Sequence, residues 1–306
     1  MRRLDLRAAP ADEGERLDRF IALRGGISRG LARRLLDRGG VFLDGRRCKV
    51  ASRPVHAGQA VAVNLEEGGK GPSGPGVLER GRLLFADEHL VAVDKPAFVP
   101  AQPTLTSDQG TLPELAAALV GSPLTVVHRL DRETSGVTVL ARTPRAAAAL
   151  FAAFRAGEPA KSYLALCARA PSPREGRLDL ALSADPLHPG RRRAGPTGQS
   201  AATRYATLRE GASGAALVAC SPETGRTHQI RAHLAHLGAP LLGDPRYGGP
   251  RELLGTEVPR VMLHARKLEL AHPITLVPLA FEAPLPEDFL SVLRALVPSA
   301  GAEEGP

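Results

Sequence analysis

Residues 66–81 constrain what the rest of the chain can fold into. From Glu66 to Gly76 they read Glu-Glu-Gly-Gly-Lys-Gly-Pro-Ser-Gly-Pro-Gly. A run this rich in glycine and proline has no preference for helix or strand and nothing apolar to bury. It divides the 306 residues into a short amino-terminal part and a longer body, each of which must build its own core. The length agrees, because a single core stops growing at about 250–300 residues. The expected organisation is an amino-terminal module over 1–65, a linker over 66–81, a body over 82–297 and a small, acidic, disordered tail over 298–306.

Charge divides along the same line. The chain holds 40 Lys+Arg against 32 Asp+Glu, and residues 1–64 alone hold 14 against 7, so seven of the eight surplus positive charges lie there. A basic end on a near-neutral body predicts a polyanion-binding module attached to something else. The three cysteines, Cys48, Cys167 and Cys220, are far apart, which fits a reducing compartment and argues against a disulfide framework or a zinc ribbon. The first residues lack an apolar secretory core, and no apolar run approaches the ~20 residues that cross a bilayer. A soluble, cytoplasmic protein with no membrane partner is expected, and it is read as a monomer.

Within the module, residues 1–12 read as a frayed lead-in. Leu17, Phe20, Ile21 and Leu23 then mark one apolar face of a helix that Gly25-Gly26 stops. Ser28 is placed to cap a second helix, with Leu31, Leu35 and Leu36 inward and Arg29, Arg33, Arg34 and Arg38 along it. Val41-Phe42-Leu43, Asp44-Gly45 and Arg46-Arg47 spell a hairpin with a tight turn, and Val61-Ala62-Val63 a closing strand. Cations on such a helix would run along phosphates, which gives affinity without base choice.

The densest polar stretch of the body is His128-Arg129-Leu130-Asp131-Arg132-Glu133-Thr134-Ser135-Gly136, between the branched apolar runs 124–127 and 137–140. The flanks read as strands. Asp131 lies between two arginines, which favour the ionised form of an acid, and a positioned carboxylate can act as nucleophile or electrostatic stabiliser. A strand over 161–166 carries Tyr163. A second polar motif, Thr224-Gly225-Arg226-Thr227-His228-Gln229-Ile230-Arg231, precedes Ala232-His233-Leu234 and Gly243-Asp244-Pro245-Arg246-Tyr247-Gly248. Thr227 is a candidate cap for a helix whose apolar face is Ile230, Leu234 and Leu237. Residues 171–200 give no clear pattern, and Arg191-Arg192-Arg193 reads as an exposed loop. The histidines at 228, 233 and 236 do not have the spacing or the glutamate of a helical zinc motif, so no metal site is assigned.

HRLDRETSG and TGRTHQIR, in this order with the tyrosine strand between them, resemble the signature of the RluA-type RNA pseudouridine synthases. The helix, arginine-rich helix and hairpin of residues 14–64 resemble the alpha-L RNA-binding module of a small-subunit ribosomal protein. The loop Ala97-Phe98-Val99-Pro100-Ala101-Gln102-Pro103 departs from the family, which more often has glycine after Lys95-Pro96 and a His-Pro beyond, so no substrate contact is assigned to it. The resemblance implies an α+β fold: a pseudouridine synthase body with a mixed, mainly antiparallel sheet and flanking helices, plus a small amino-terminal α/β RNA-binding module. It implies an isomerase acting on uridines in structured RNA, ribosomal RNA of the large subunit or tRNA, with no cofactor. By the same resemblance Asp131 is the catalytic residue, Arg231 pairs with it, and Tyr163 faces it. Arg129, Leu130, Arg226 and His228, with Arg29, Arg33 and Arg34 of the module, are assigned to RNA binding. Attack of Asp131 on the anomeric carbon and proton abstraction to a glycal both remain open. The rival reading is an RNA-binding ribosome assembly factor whose body no longer catalyses.

Overall fold

The computed structural model describes residues 2–65 and 76–298. Residues 66–75 of the expected linker and 299–306 of the expected tail lie outside the described residues. The chain forms two compact units, one of residues 1–74 with 100–114, the other of 75–99 with 115–306.

The first unit contains β1 (Arg2–Arg7), α1 (Leu17–Gly25), α2 (Arg29–Asp37), β2 (Val41–Leu43), β3 (Arg46–Arg47) and β4 (Ala60–Leu65). Its sheet runs β1-β4-β2-β3. The supposed lead-in is therefore an outer strand: β1 pairs antiparallel with β4 from Arg2↔Leu65 to Arg7↔Ala60. Its arginines hid the alternation, since Leu4 and Leu6 pack on the core while their neighbours face water. Leu17, Phe20 and Ile21 of α1 are buried, but Leu23 is 67% exposed and does not belong to that face. Ser28 caps α2, its hydroxyl accepting the Leu31 N–H at 3.2 Å. Asp44 and Gly45 both take positive φ (48° and 77°), the turn that joins two right-twisted strands without splaying them.

The second unit opens with a short 3-10 turn at Arg80–Arg82, and Leu78 is buried. The expected linker thus yields to ordered chain before residue 81, since Leu78 is an apolar anchor among prolines and glycines. There follow β5 (Leu83–Ala86), β6 (Leu90–Lys95), α3 (Leu112–Val120), β7 (Thr125–Val126), β8 (Ser135–Ala141), α4 (Pro144–Ala156), β9 (Ala160–Cys167), β10 (Glu175–Asp179), β11 (Ala181–Ala184), β12 (Arg192–Gly195), β13 (Ala202–Glu210), β14 (Ala216–Pro222), α5 (Gln229–His236), β15 (Glu252–Leu253), β16 (Thr256–Glu257), β17 (Leu263–Ala271), β18 (Pro278–Glu282) and α6 (Glu287–Leu296).

One ten-stranded sheet carries the unit, in the order β10-β13-β14-β9-β17-β8-β6-β5, with β18 beside β17 and β7 beside β8. Every pairing in it is antiparallel except β17 with β8. Side chains leave a strand on alternate faces, and β9 and β14 show why both faces are covered. Ala165, Cys167, Ala216, Val218 and Cys220 pack with Ile230 and Leu234 of α5. Leu166 and Leu217 pack with Phe289, Val292, Leu293 and Leu296 of α6. α6 escaped the sequence reading, although Pro286, Glu287 and Asp288 open it and its apolar residues follow helical spacing. Arg192 and Arg193 lie in β12, paired with β11, and so are not part of a free loop. No helix of the described residues is long and apolar enough to cross a membrane.

The parallel contact between β8 and β17 is made at Ser135 and Gly136. Gly136 has φ +113°, and a Cβ there would sit 2.2 Å from the Ala265 carbonyl oxygen. Only glycine lets the two backbones approach at this point.

Candidate active site

β7 and β8 pair antiparallel at Thr125↔Ala141 and Val126↔Leu140, so residues 127–134 form the loop that joins them. His128 stacks on Phe154 with ring centres 4.3 Å apart, and its Nε2 accepts the Val139 N–H at 2.9 Å. Burial, then the nearby Lys161, lowers it to about 3. His128 is thus a neutral brace for the loop. Leu130 is buried.

The loop backbone is held from two directions. The Arg132 carbonyl accepts the Phe98 N–H at 2.7 Å and an N–H of Lys95 Nζ at 3.2 Å. Lys95 is fully buried, and it also donates to the carbonyls of Pro96 and Val99 at 3.0 and 2.9 Å. On the other side Arg260, 1% exposed, donates to the Glu133 carbonyl at 3.1 Å and to the Ser135 hydroxyl at 3.1 Å, and is itself paired with Asp288 at 2.6 Å. The carboxylate of Glu133 accepts the Val261 N–H at 3.2 Å. A loop tied this tightly gives Asp131, which is partly open, a fixed position.

Asp131 Oδ2 lies 3.0 Å from Arg231 Nη1. The same guanidinium presents its other edge to Asp244, with Nε–Oδ2 at 2.6 Å and Nη2–Oδ1 at 2.9 Å. Arg231 and Asp244 are 9% and 1% exposed at the side chain, Asp131 27%. The arginine is therefore fixed in a planar bidentate bond to a buried acid and offers its remaining arm to the exposed one. Burial opposes the Arg231 charge, but the bonds and charges of Asp244 and Asp131 outweigh it and raise the group.

His228 approaches the same oxygen of Asp131, its Nε2 3.8 Å from Oδ2. It occupies the cap position of α5 with φ +57°, so Thr227 does not cap this helix. Gln229 takes over the local hydrogen bonding. Its carbonyl oxygen accepts from the Thr224 hydroxyl and the Arg226 N–H, at 2.7 and 3.0 Å. Its amide donates to the Ala202 carbonyl and the Thr203 hydroxyl, at 2.9 and 3.0 Å. All four hydrogen bonds a buried glutamine amide can make are present, and they fix the turn that delivers His228 and Arg231. Tyr163 enters from β9, opposite Cys220 on one side and Ala265 on the other. Burial, then the charge of Asp131, raises its phenol above the ordinary value.

The fold thus brings together residues about 100 positions apart in an arrangement suited to an acid reacting beside a fixed cation. Residues 89–236 match the family model described as RNA pseudouridylate synthase, and residues 15–61 match the S4 domain. An uncharacterized RNA pseudouridine synthase of Bacillus subtilis (strain 168) is 37% identical over 248 residues, covering 78% of this chain and 80% of the relative. The chain belongs to the RluA-type family of RNA pseudouridine synthases. As a synthase of this type it is an isomerase. The ribosomal large subunit pseudouridine synthase D of Xylella fastidiosa is 38% identical to it, over 70% of this chain and 69% of that one. The solved human RNA pseudouridylate synthase domain containing 4 shares 32% identity and superposes with a TM-score of 0.57, covering 69% of this synthase and 91% of the human chain.

Not every residue singled out in the synthase sequence lies at this site. Arg129 is exposed and donates to the Thr227 hydroxyl at 3.2 Å, which joins the two motifs. Arg226 is exposed and bonds the Ser200 carbonyl at 3.0 Å. Arg29 and Arg33, in the other unit, reach the fully buried Asp18 at 3.1 and 2.9 Å, and Arg16 joins them at 3.2 Å. These two arginines hold α2 to α1, whereas Arg34 and Arg38 are exposed with no ion pair to a described residue. The buried histidines have protein partners: His233 is bonded to Thr203 and the Leu180 carbonyl, His264 to Ser135 and His272 to Asp87. The sequence reading passed over Asp244, Tyr247 and Arg260. The first two stand in the Gly243–Gly248 motif, which marked the place without marking the roles. Nothing in the sequence around Arg260 distinguishes it from the other arginines.

Proposed function

We propose that Asp131 is the reacting carboxylate in the conversion of uridine to pseudouridine within structured RNA of the large ribosomal subunit. The observation that carries this reading is the shared arginine: Asp131 is partly open to solvent in a clamped loop, against a guanidinium that Asp244 holds in place. In the isomerisation the bond from the ribose C1′ to N1 of uracil breaks. The base turns, C1′ bonds C5, the C5 proton leaves, and N1 takes up a proton. Atoms and charge balance without an oxidant or a second substrate. Asp131 would begin either by attacking C1′ or by removing a proton from the sugar, and both routes need an acid fixed within bonding distance of the ribose. Tyr163 would pack on the base and assist loss of the C5 proton.

The uridine must leave its stack to reach Asp131. Arg129, exposed at the motif junction, would fill the space vacated, with Arg226 and His228 lining the approach and Leu130, which is buried, supporting the loop from within. The amino-terminal module over 1–65, with Arg34 as an open cation, would hold RNA phosphates, and residues 82–297 would form the catalytic body. The name of the Xylella relative supports a ribosomal substrate; tRNA is the other substrate to be tested. The compartment is that of the RNA, the cytoplasm.

Tritium release from RNA labelled at C5 of uridine tests the proposal, with unmodified ribosomal RNA and tRNA assayed separately. Wild type should release label and Asp131→Asn should not, while both bind RNA alike. Binding without release by the wild type, from transcripts and precursor particles, would favour the assembly-factor reading.

A further inference from the structure

Tyr247 lies under the site, buried, at the end of a short 3-10 turn, Pro245–Tyr247. Its hydroxyl oxygen accepts the Arg192 backbone N–H at 2.7 Å and lies 3.0 Å from Nδ1 of His228. The two rings meet edge to face, with centres 5.7 Å apart. Two arrangements of hydrogen are conceivable. If Nδ1 carried the proton, the tyrosine oxygen would accept twice and its own O–H would point into the protein with no acceptor. If the tyrosine donates to Nδ1, its hydroxyl both accepts and donates, and the Nε2–H of His228, on the partly exposed side of the ring, is the one donor left open. A buried hydroxyl left unpaired costs more than a hydrogen bond returns, so the second arrangement prevails. A neutral imidazole that accepts at Nδ1 must carry its hydrogen at Nε2, and Nε2 is the atom beside Asp131.

We propose that Tyr247 is a positioning residue that fixes His228 as the neutral Nε2–H form, so that His228 presents a hydrogen-bond donor next to Asp131 to a carbonyl or hydroxyl oxygen of the bound uridine. This rests on the isomerase reading of the same site. At 3.8 Å the donor is beside the carboxylate without being bonded to it, and so is free for an incoming acceptor. The ring stays neutral near pH 7. Burial lowers it to about 4, with Arg231 and Arg246 acting in the same direction and Asp131 and Asp244 opposing. The left-handed backbone of His228 (φ +57°) points the same way, since strain of this kind is retained where a side chain has to be aimed.

Tyr247→Phe removes the hydroxyl and keeps the ring over which the Arg231 guanidinium lies at 5.2 Å. The test is a long-range proton–nitrogen NMR spectrum of the ¹⁵N-histidine-labelled full chain at pH 7.5, with His228 assigned by its loss in His228→Gln. Wild type should show Nδ1 unprotonated and Nε2 protonated, and Tyr247→Phe should show a mixture. In tritium release Tyr247→Phe should lower kcat/KM about tenfold, the worth of one hydrogen bond. In a His228→Gln background, which keeps an N–H donor but has no tautomer to fix, it should lower it no further. A proton on Nδ1 in wild type, or a tautomer unchanged in Tyr247→Phe, would overturn the proposal. A wild type that releases no tritium would overturn the isomerase reading instead, and the spectrum would still decide the tautomer.

Discussion

Asp244 should be as necessary to the site as the acid it never touches. Arg231 makes two bonds to Asp244, of 2.6 and 2.9 Å, and one to Asp131, of 3.0 Å. In Asp244→Asn the buried guanidinium keeps one acceptor and meets an amide N–H where a carboxylate oxygen was. Breaking a buried charge pair from one side costs roughly 3–5 kcal/mol, and the surviving acceptor sets the expectation near the lower end, about 3 kcal/mol. For a body of this size each kcal/mol moves Tm by about 2–4 °C, so the melt should fall by roughly 6–12 °C. Circular dichroism melts of wild type, Asp244→Asn, Arg231→Met and the double variant complete a cycle. The double variant should be less damaged than the sum of the singles by at least ~1 kcal/mol, because it no longer buries an unpaired cation. At temperatures where Asp244→Asn is folded, tritium release should still fall about tenfold or more, since Arg231 is no longer aimed. A melt within about 2 °C of wild type together with strict additivity would refute the claim that Asp244 anchors the arginine.

Other expectations follow from the same geometry. His264 is fully buried, and burial holds it neutral at about 4 against an ordinary 6.5. Between those values the unfolded chain binds the extra proton, so this contribution is intact above pH 6.5 and is lost as pH falls, by about 1.4 kcal/mol per unit. Urea unfolding at pH 7.5 and 5 should show that loss added to those of His128 and His228, which burial also lowers, and His264→Gln should make the slope shallower by its own share. Gly136→Ala would force a Cβ into the Ala265 carbonyl, and soluble yield should collapse where Gly225→Ala, with nothing within 4 Å, is tolerated. In the first unit, Arg34→Ala should leave the melt unchanged and reduce the salt slope of RNA binding by about one. Asp18→Ala, which strands three arginines, should instead lower the melt, as read by differential scanning calorimetry.

The sequence was informative where a signal is local. Ser28 before a leucine-rich period, Asp44-Gly45 between apolar runs, and the strands around 128–136 are each decided by neighbours a few residues away, and the structure has them. Arg231 beside Asp131 came only through family likeness, because a pairing across 100 residues leaves no trace in either neighbourhood. Long-range partners account for most of what was missed. Arg29 and Arg33 read as an RNA-facing row until Asp18, on another helix, is seen to bind both. Arg191–Arg193 read as a loop because β12 is polar and its partner β11 is equally unmarked. β1 was hidden for a different reason: four of its six residues are charged, and alternation is hard to see in so short a strand.

The clamp around Asp131 also sets an order of events during synthesis. The signature loop emerges from the ribosome after Lys95 but 100 residues before Arg231, 113 before Asp244 and 129 before Arg260, and Arg260 in turn waits for Asp288. Until then the β8 edge meant for β17 has no neighbour, and Asp131 has no cation to aim it. A nascent chain therefore carries the whole signature before its clamp exists, and the clamp is completed by α6, the last helix of the described residues.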